Sequence, residues 1–125
     1  MDADRRRLAQ EAGASAEEAV GDWYVRRGFR VLARNHRAGG SELDLIVERD
    51  GDLRFVEVKQ RGRGDCTLWE SIDRRKRARL VRGAEAFLQA HSRPYRYVSL
   101  DVALVFGHDQ DRQIEVLESA FDAAQ

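Results

Sequence analysis

Two apolar runs of strand length, Leu43 to Arg49 and Leu53 to Gln60, flank the dipeptide Asp50-Gly51. No other feature limits the fold of this chain as sharply. A two-residue reversal needs positive φ at its central positions, which glycine adopts freely and aspartate tolerates. Such a turn fixes the register, with Arg49 opposite Asp52 and each step back along one strand matched by a step along the other. Asp44 then falls opposite Glu57, and Glu42 opposite Lys59. Opposite residues share a face, with Cβ atoms about 4.5–5.5 Å apart. Four charged side chains therefore gather at the end of the hairpin away from the turn. Toward the turn the same face is apolar, through Ile46, Leu53 and Phe55. Leu43, Leu45, Val47, Val56 and Val58 form the reverse, core-facing side.

Two carboxylates facing each other on a half-buried sheet repel unless a proton, a cation or a metal relieves them. A hard divalent cation such as Mg²⁺ suits carboxylates, a backbone carbonyl and water. Asp44 and Glu57 supply the carboxylates, and the Val58 carbonyl between Glu57 and Lys59 is a candidate further ligand. Lys59 points the same way as Glu57. It can orient a water or stabilise charge on a phosphate. The plain alternative is an ion-pair network in which Lys59 neutralises Glu42 and Glu57.

The remainder of the chain reads as α/β. Ser15 and Glu18 have capping-box spacing, and Ala16, Val20, Trp23 and Tyr24 follow at helical intervals up to a C′ glycine at Gly28. Glu17 shares a face with Val20 and Tyr24, which leans it inward, where a carboxylate needs a partner. Residues 3–12 add a turn or two before Gly13. Phe29 to Asn35 reads as a strand and residues 38–41 as a loop. Ser71 to His91 reads as a second helix, with Ile72, Leu80, Ala84, Phe87 and Leu88 inward. Tyr97 to Phe106 is a long strand and Gln113 to Leu117 a short one, and Ser119 to Ala124 closes with a helical turn. The order is αβββαββ, around a mixed central sheet of about five strands. At 125 residues a single domain is expected, with residues 1–12 as an N-terminal extension and 13–121 as the core.

Charge is zero in total but uneven. From Lys59 to Arg82 nine basic residues stand against three acidic ones, and from Asp101 onward six acidic residues stand against one basic. A basic stretch of this kind favours a polyanionic partner. Arg61 and Arg63 lie in a loop directly after the second hairpin strand. Arg75, Lys76 and Arg79 lie on the second helix, Lys76 on its inner stripe between Ile72 and Leu80, where its ammonium can point at the carboxylate end of the hairpin or at a phosphate. These five are the candidate phosphate contacts. Trp69 is a weaker candidate, for stacking on a base. The single cysteine, Cys66, forms no internal disulfide. His36, His91 and His108 lack zinc-ligand spacing. No apolar run is long enough to span a membrane, and the charged N-terminus is unlike a secretory signal, so a cytoplasmic protein is expected.

Several runs together resemble one family. They are Gly13-Ala-Ser-Ala-Glu17, Gly28-Phe29, Leu32-Ala-Arg-Asn35, Glu42-Leu-Asp44-Leu-Ile, Phe55-Val-Glu57-Val-Lys59-Gln-Arg61, the helix around Lys76, Leu100-Asp101-Val102 and Ala120-Phe121. Their order and spacing resemble the YraN family across residues 13 to 121. Its members are described as predicted endonuclease-like proteins of the PD-(D/E)XK superfamily, similar to archaeal Holliday-junction resolvases. The resemblance implies a restriction-endonuclease-like core. It makes Asp44, Glu57 and Lys59 the active-site motif and Glu17 its supporting helix glutamate. Two positions depart from the family pattern: Ser41 stands where Gly is usual, and Ser99 where Arg is usual. The reading that follows is a nuclease using Mg²⁺ or Mn²⁺, with no small-molecule cofactor, acting on DNA, with branched DNA as one candidate substrate. The alternative is a non-catalytic DNA-binding or partner-binding module on the same fold. The sequence does not choose between monomer and homodimer.

Overall fold

In the computed structural model Asp50 and Gly51 both take positive φ, 49° and 84°. The strands they join are β2 (Ser41–Arg49) and β3 (Asp52–Arg61), paired antiparallel from Arg49/Asp52 to Leu45/Val56. The reversal also anchors a later element. The Gly51 carbonyl accepts the Arg96 and Tyr97 N–H groups at 2.7 and 3.2 Å, at the entry to β4 (Tyr97–Phe106). The other elements are α1 (Asp2–Arg26), β1 (Arg30–Ala38), α2 (Arg74–Ala90) and β5 (Gln113–Asp122). The structure describes residues 2–61, 74–91, 93–107 and 111–122.

The five strands form one sheet in the order β1-β2-β3-β4-β5. Only β3 and β4 run parallel, and α2 lies in the crossover that such a pair requires. Each face of the sheet is covered. On one, α1 buries Ala16, Val20 and Tyr24 against Leu45, Val47, Val56, Ala103 and Val105. On the other, α2 buries Leu80, Val81, Ala84 and Phe87 against Ile46, Leu53, Phe55 and Leu100. The apolar half of the hairpin's charged face is therefore core as well. Leu43 is a correction. It packs under α2 with Ile46, not with Leu45 and Val47, so strict alternation fails at Asp44. Gly83 explains how α2 comes so near. A Cβ there would lie 3.2 Å from both Leu43 Cδ2 and Ser41 Cβ.

Several boundaries differ from the sequence reading, each for a local reason. The first helix runs unbroken from Asp2 through Gly13, so Ser15 is interior and not a cap. Its hydroxyl instead accepts a hydrogen bond from Arg112 at 2.9 Å. The expected loop at 38–41 is a two-residue hairpin with Ala38 paired to Ser41, because Gly39 and Gly40 supply φ of 57° and 75°. The expected closing helical turn is strand. Leu100 pairs with Phe121 across a bulge, and Ser119 takes φ 52° and gives its N–H to Asp101. His36 and His91, far apart in sequence, meet around Phe87 with ring centroids 6.4 Å apart. Ser71 to Asp73 of the expected second helix lie outside the described residues.

One buried carboxylate joins the helix to three strands. Asp101 is 1% exposed. It accepts the Tyr24 hydroxyl at 2.6 Å, the Ser119 N–H at 2.9 Å and an Arg54 N–H at 3.2 Å. Burial raises its pKa despite these donors, which pull the other way. Arg54, on β3, also pairs with Asp52 and Glu118. Ser99 stands where an arginine was expected, and its strand partner across the sheet is Arg54. The guanidinium thus reaches Asp101 from the next strand. Removing one partner of a buried pair leaves the other uncompensated, at a cost of roughly 3–5 kcal/mol. Arg54→Met should lose about that much in urea denaturation, and adding Asp101→Asn should restore part of it.

Candidate functional site

The β2–β3 ladder stops at Leu45/Val56, one pair short of Asp44 and Glu57. Beyond that point Asp44 bridges the gap itself. Its Oδ2 accepts the Val58 N–H at 2.9 Å. A strand residue turns its N–H and C=O toward the same neighbour, so the Val58 carbonyl points to the β2 side as well. Glu42 is not paired with Lys59, as the extended register implied, but with Arg37 on β1.

The opening is a cavity of about 350 Å³ lined by Gly40, Ser41, Glu42, Asp44, Glu57, Lys76, Arg79 and Leu80. The two carboxylates that the turn geometry set opposite each other therefore do share one space. Glu57 is 6% exposed. Its Oε1 contacts two ammonium groups, Lys76 Nζ at 2.6 Å and Lys59 Nζ at 3.6 Å. Burial disfavours the charge on Lys76, but its hydrogen bond to Glu57 and the negative charges of Glu57 and Asp44 outweigh that and raise its pKa. Asp44 is pushed up to about 7, first by burial and then by the negative charge of Glu57. The Val58 N–H pulls it down, and Glu17 adds to the push.

Glu17 reaches this group from α1. Burial raises its pKa, a hydrogen bond with Asn35 opposes that, and the charges of Glu42 and Glu57 add to it. Asn35 was not foreseen as a partner. Its φ of 48° is the signal, since asparagine is one of few residues that tolerate that region. Of the two targets read for Lys76, the carboxylate end of the hairpin and a phosphate, the structure shows the first: its ammonium is bonded to Glu57 inside the cavity. Arg79 lines the cavity from an exposed position and Arg75 is exposed nearby on the same helix. Arg61 ends β3, but its side chain lies outside the description, as do Arg63, Cys66 and Trp69.

Among the described residues no group of three or more His, Cys, Asp and Glu forms a complete metal-ligand set. Two carboxylates nonetheless fit the protein share of a Mg²⁺ site, where water and substrate oxygens complete the shell. The donors are all oxygen, and the mutual repulsion that raises Asp44 is the kind a cation relieves.

A mixed five-stranded sheet between two helices, with two carboxylates and two lysines meeting where its central hairpin opens, defines a small α/β protein with a charged pocket. Residues 16–105 match the family described as uncharacterised protein family UPF0102. The chain belongs to that family, the YraN family that its motifs resemble. It is 35% identical over 119 residues to a UPF0102 protein of Rhodopseudomonas palustris, covering 94% of this chain and 88% of that one. It is 41% identical over 115 residues to a UPF0102 protein of Gloeobacter violaceus, covering 87% and 90%. A UPF0102 protein of Roseiflexus castenholzii is 46% identical over 84 residues, covering 60% and 68%. No helix among the described residues is long and apolar enough to cross a membrane.

Asp44 makes stability depend on pH. Its folded pKa of about 7 lies above the ordinary 3.8. The unfolded chain therefore ionises first as pH rises, and the folded protein loses stability between about pH 4 and pH 7. The full effect is on the order of 2–4 kcal/mol. In EDTA at pH 7.5, Asp44→Asn should melt above the wild type, and the gap should close toward pH 4. Equal melting temperatures at both pH values would contradict this.

Proposed function

We propose that this protein is a metal-dependent phosphodiesterase that cleaves DNA, branched DNA included. The observation that carries the reading is the contact of Asp44 and Glu57 in one open cavity, with lysines on the Glu57 carboxylate. Asp44 and Glu57, with the Val58 carbonyl, would hold Mg²⁺ or Mn²⁺, which supplies a Lewis acid and an activated water. Lys59 positions the attacking water and stabilises charge growing on the phosphate. Glu17 acts from the outer shell, through its field on Asp44 and its tie to Asn35. Arg75 and Arg79, with Arg61 at the end of β3 and Arg63 two residues further along the chain, hold the phosphate backbone, a sequence-independent and salt-dependent attraction.

A second reading has one observation in its favour. Lys76 already satisfies the Glu57 oxygen at 2.6 Å, so the pocket can stand without a metal. A DNA-binding module without turnover would then keep the fold and the basic helix. The two readings part on a simple assay. Mg²⁺- or Mn²⁺-dependent nicking, abolished in Lys59→Ala and Asp44→Ala while DNA binding persists, supports the enzyme. Failure to cut linear, nicked or branched DNA with either metal overturns it.

The role of the helix is tested separately. Arg75→Gln with Arg79→Gln should weaken binding evenly across DNA sequences and flatten the dependence of log Kd on log salt by roughly one to two units. An unchanged slope would remove α2 from the interface.

A further inference from the structure

Lys76 holds the Glu57 carboxylate from inside the cavity. Its Nζ lies 2.6 Å from Glu57 Oε1, the same oxygen that Lys59 approaches at 3.6 Å. The lysines differ in where they stand. Lys76 lines the cavity together with Asp44, Glu57 and Arg79, and Lys59 is not among the lining residues. A cation entering the cavity therefore meets the Lys76 ammonium first. A divalent cation bound to Glu57 would stand beside the Lys76 ammonium, and like charges that close repel strongly away from bulk water. Lysine carries its charge on a long, flexible stem, and Lys76 retains 27% side-chain exposure, so it has room to leave.

We propose that Lys76 is a resident counter-ion that holds the Asp44–Glu57 pair together before metal arrives and is displaced from Glu57 when a divalent cation binds. Displaced, it remains on the cavity wall beside Arg79, one helical turn away, where both face any anion that follows the metal in. Lys76 is thus a positioning residue that couples metal entry to phosphate capture. This rests on the metal-site reading above, and its test is chosen to fail separately from it.

The experiment is Mn²⁺ binding to the full chain without DNA, followed by calorimetry and by the loss of free Mn²⁺ signal in electron paramagnetic resonance. Lys76→Met keeps the stem and removes the charge. It should bind Mn²⁺ about tenfold or more tightly than the wild type and show a larger metal-induced rise in melting temperature. Arg74→Gln removes one positive charge from the same helix outside the cavity and should leave Mn²⁺ affinity near the wild-type value. Lys76→Ala gives a second route to the same result should the methionine variant fold poorly. If wild type and Lys76 variants bind Mn²⁺ equally, the counter-ion role is wrong while the metal site stands. If Arg74→Gln tightens binding as much as Lys76→Met, the effect is general charge and the role is again wrong. If no variant binds Mn²⁺, the metal site itself is wrong and the inference falls with it.

Discussion

The hydrogen bond from the Val58 N–H to the Asp44 carboxylate is the contact on which the rest of the site depends. Up to Leu45 and Val56 the hairpin is ordinary antiparallel sheet. One residue further the backbone pairing ends, and a side chain takes the place of a strand. That substitution satisfies an N–H that would otherwise lack its partner while letting β2 and β3 separate. The separation is the cavity. It also turns the Asp44 carboxyl toward Glu57, and the change of direction carries Leu43 to the α2 side of the sheet.

The chain buries two kinds of carboxylate, and the difference between them is informative. Asp101 is enclosed and fully used, by a hydroxyl, a backbone N–H and a guanidinium that themselves belong to the framework. Nothing can reach it, and its role is to tie α1 to the middle of the sheet. Glu57 is nearly as buried and Asp44 half-buried, yet they line open space and push against each other. Their relief comes from ammonium groups on flexible stems. A carboxylate satisfied by rigid neighbours is structural. A repelling pair held by movable cations at a cavity wall is arranged for exchange.

The geometry also explains why a modest helix matters. α2 carries Lys76 and Arg79 to the cavity because it packs closely on the β1–β2 hairpin, with Gly83 against Ser41 and Leu43 and the Gly39 turn under Arg82 and Ala86. α1 carries Glu17 near enough for its charge to act on Asp44. The site is therefore built from both layers of the domain, and the sheet between them sets their spacing.

Much of this was legible in the residues. Asp50-Gly51 dictated a two-residue turn, the turn dictated a register, and the register brought Asp44, Glu57 and Lys59 together; period-two and helical patterns located all five strands and both helices. These are local rules, set by φ, pleat and capping over a few residues. They failed where a distant partner outbid them. Ser15 lost its cap role to an unbroken helix, and residues 119–122 became strand because Leu100 and Asp101 offered pairing and an acceptor. The end of the ladder at Leu45, the packing of Leu43 beneath α2 and the link from Arg54 to Asp101 were decided by tertiary structure alone. Each joins residues whose nearness depends on how two layers pack, and no spacing along the chain encodes that distance.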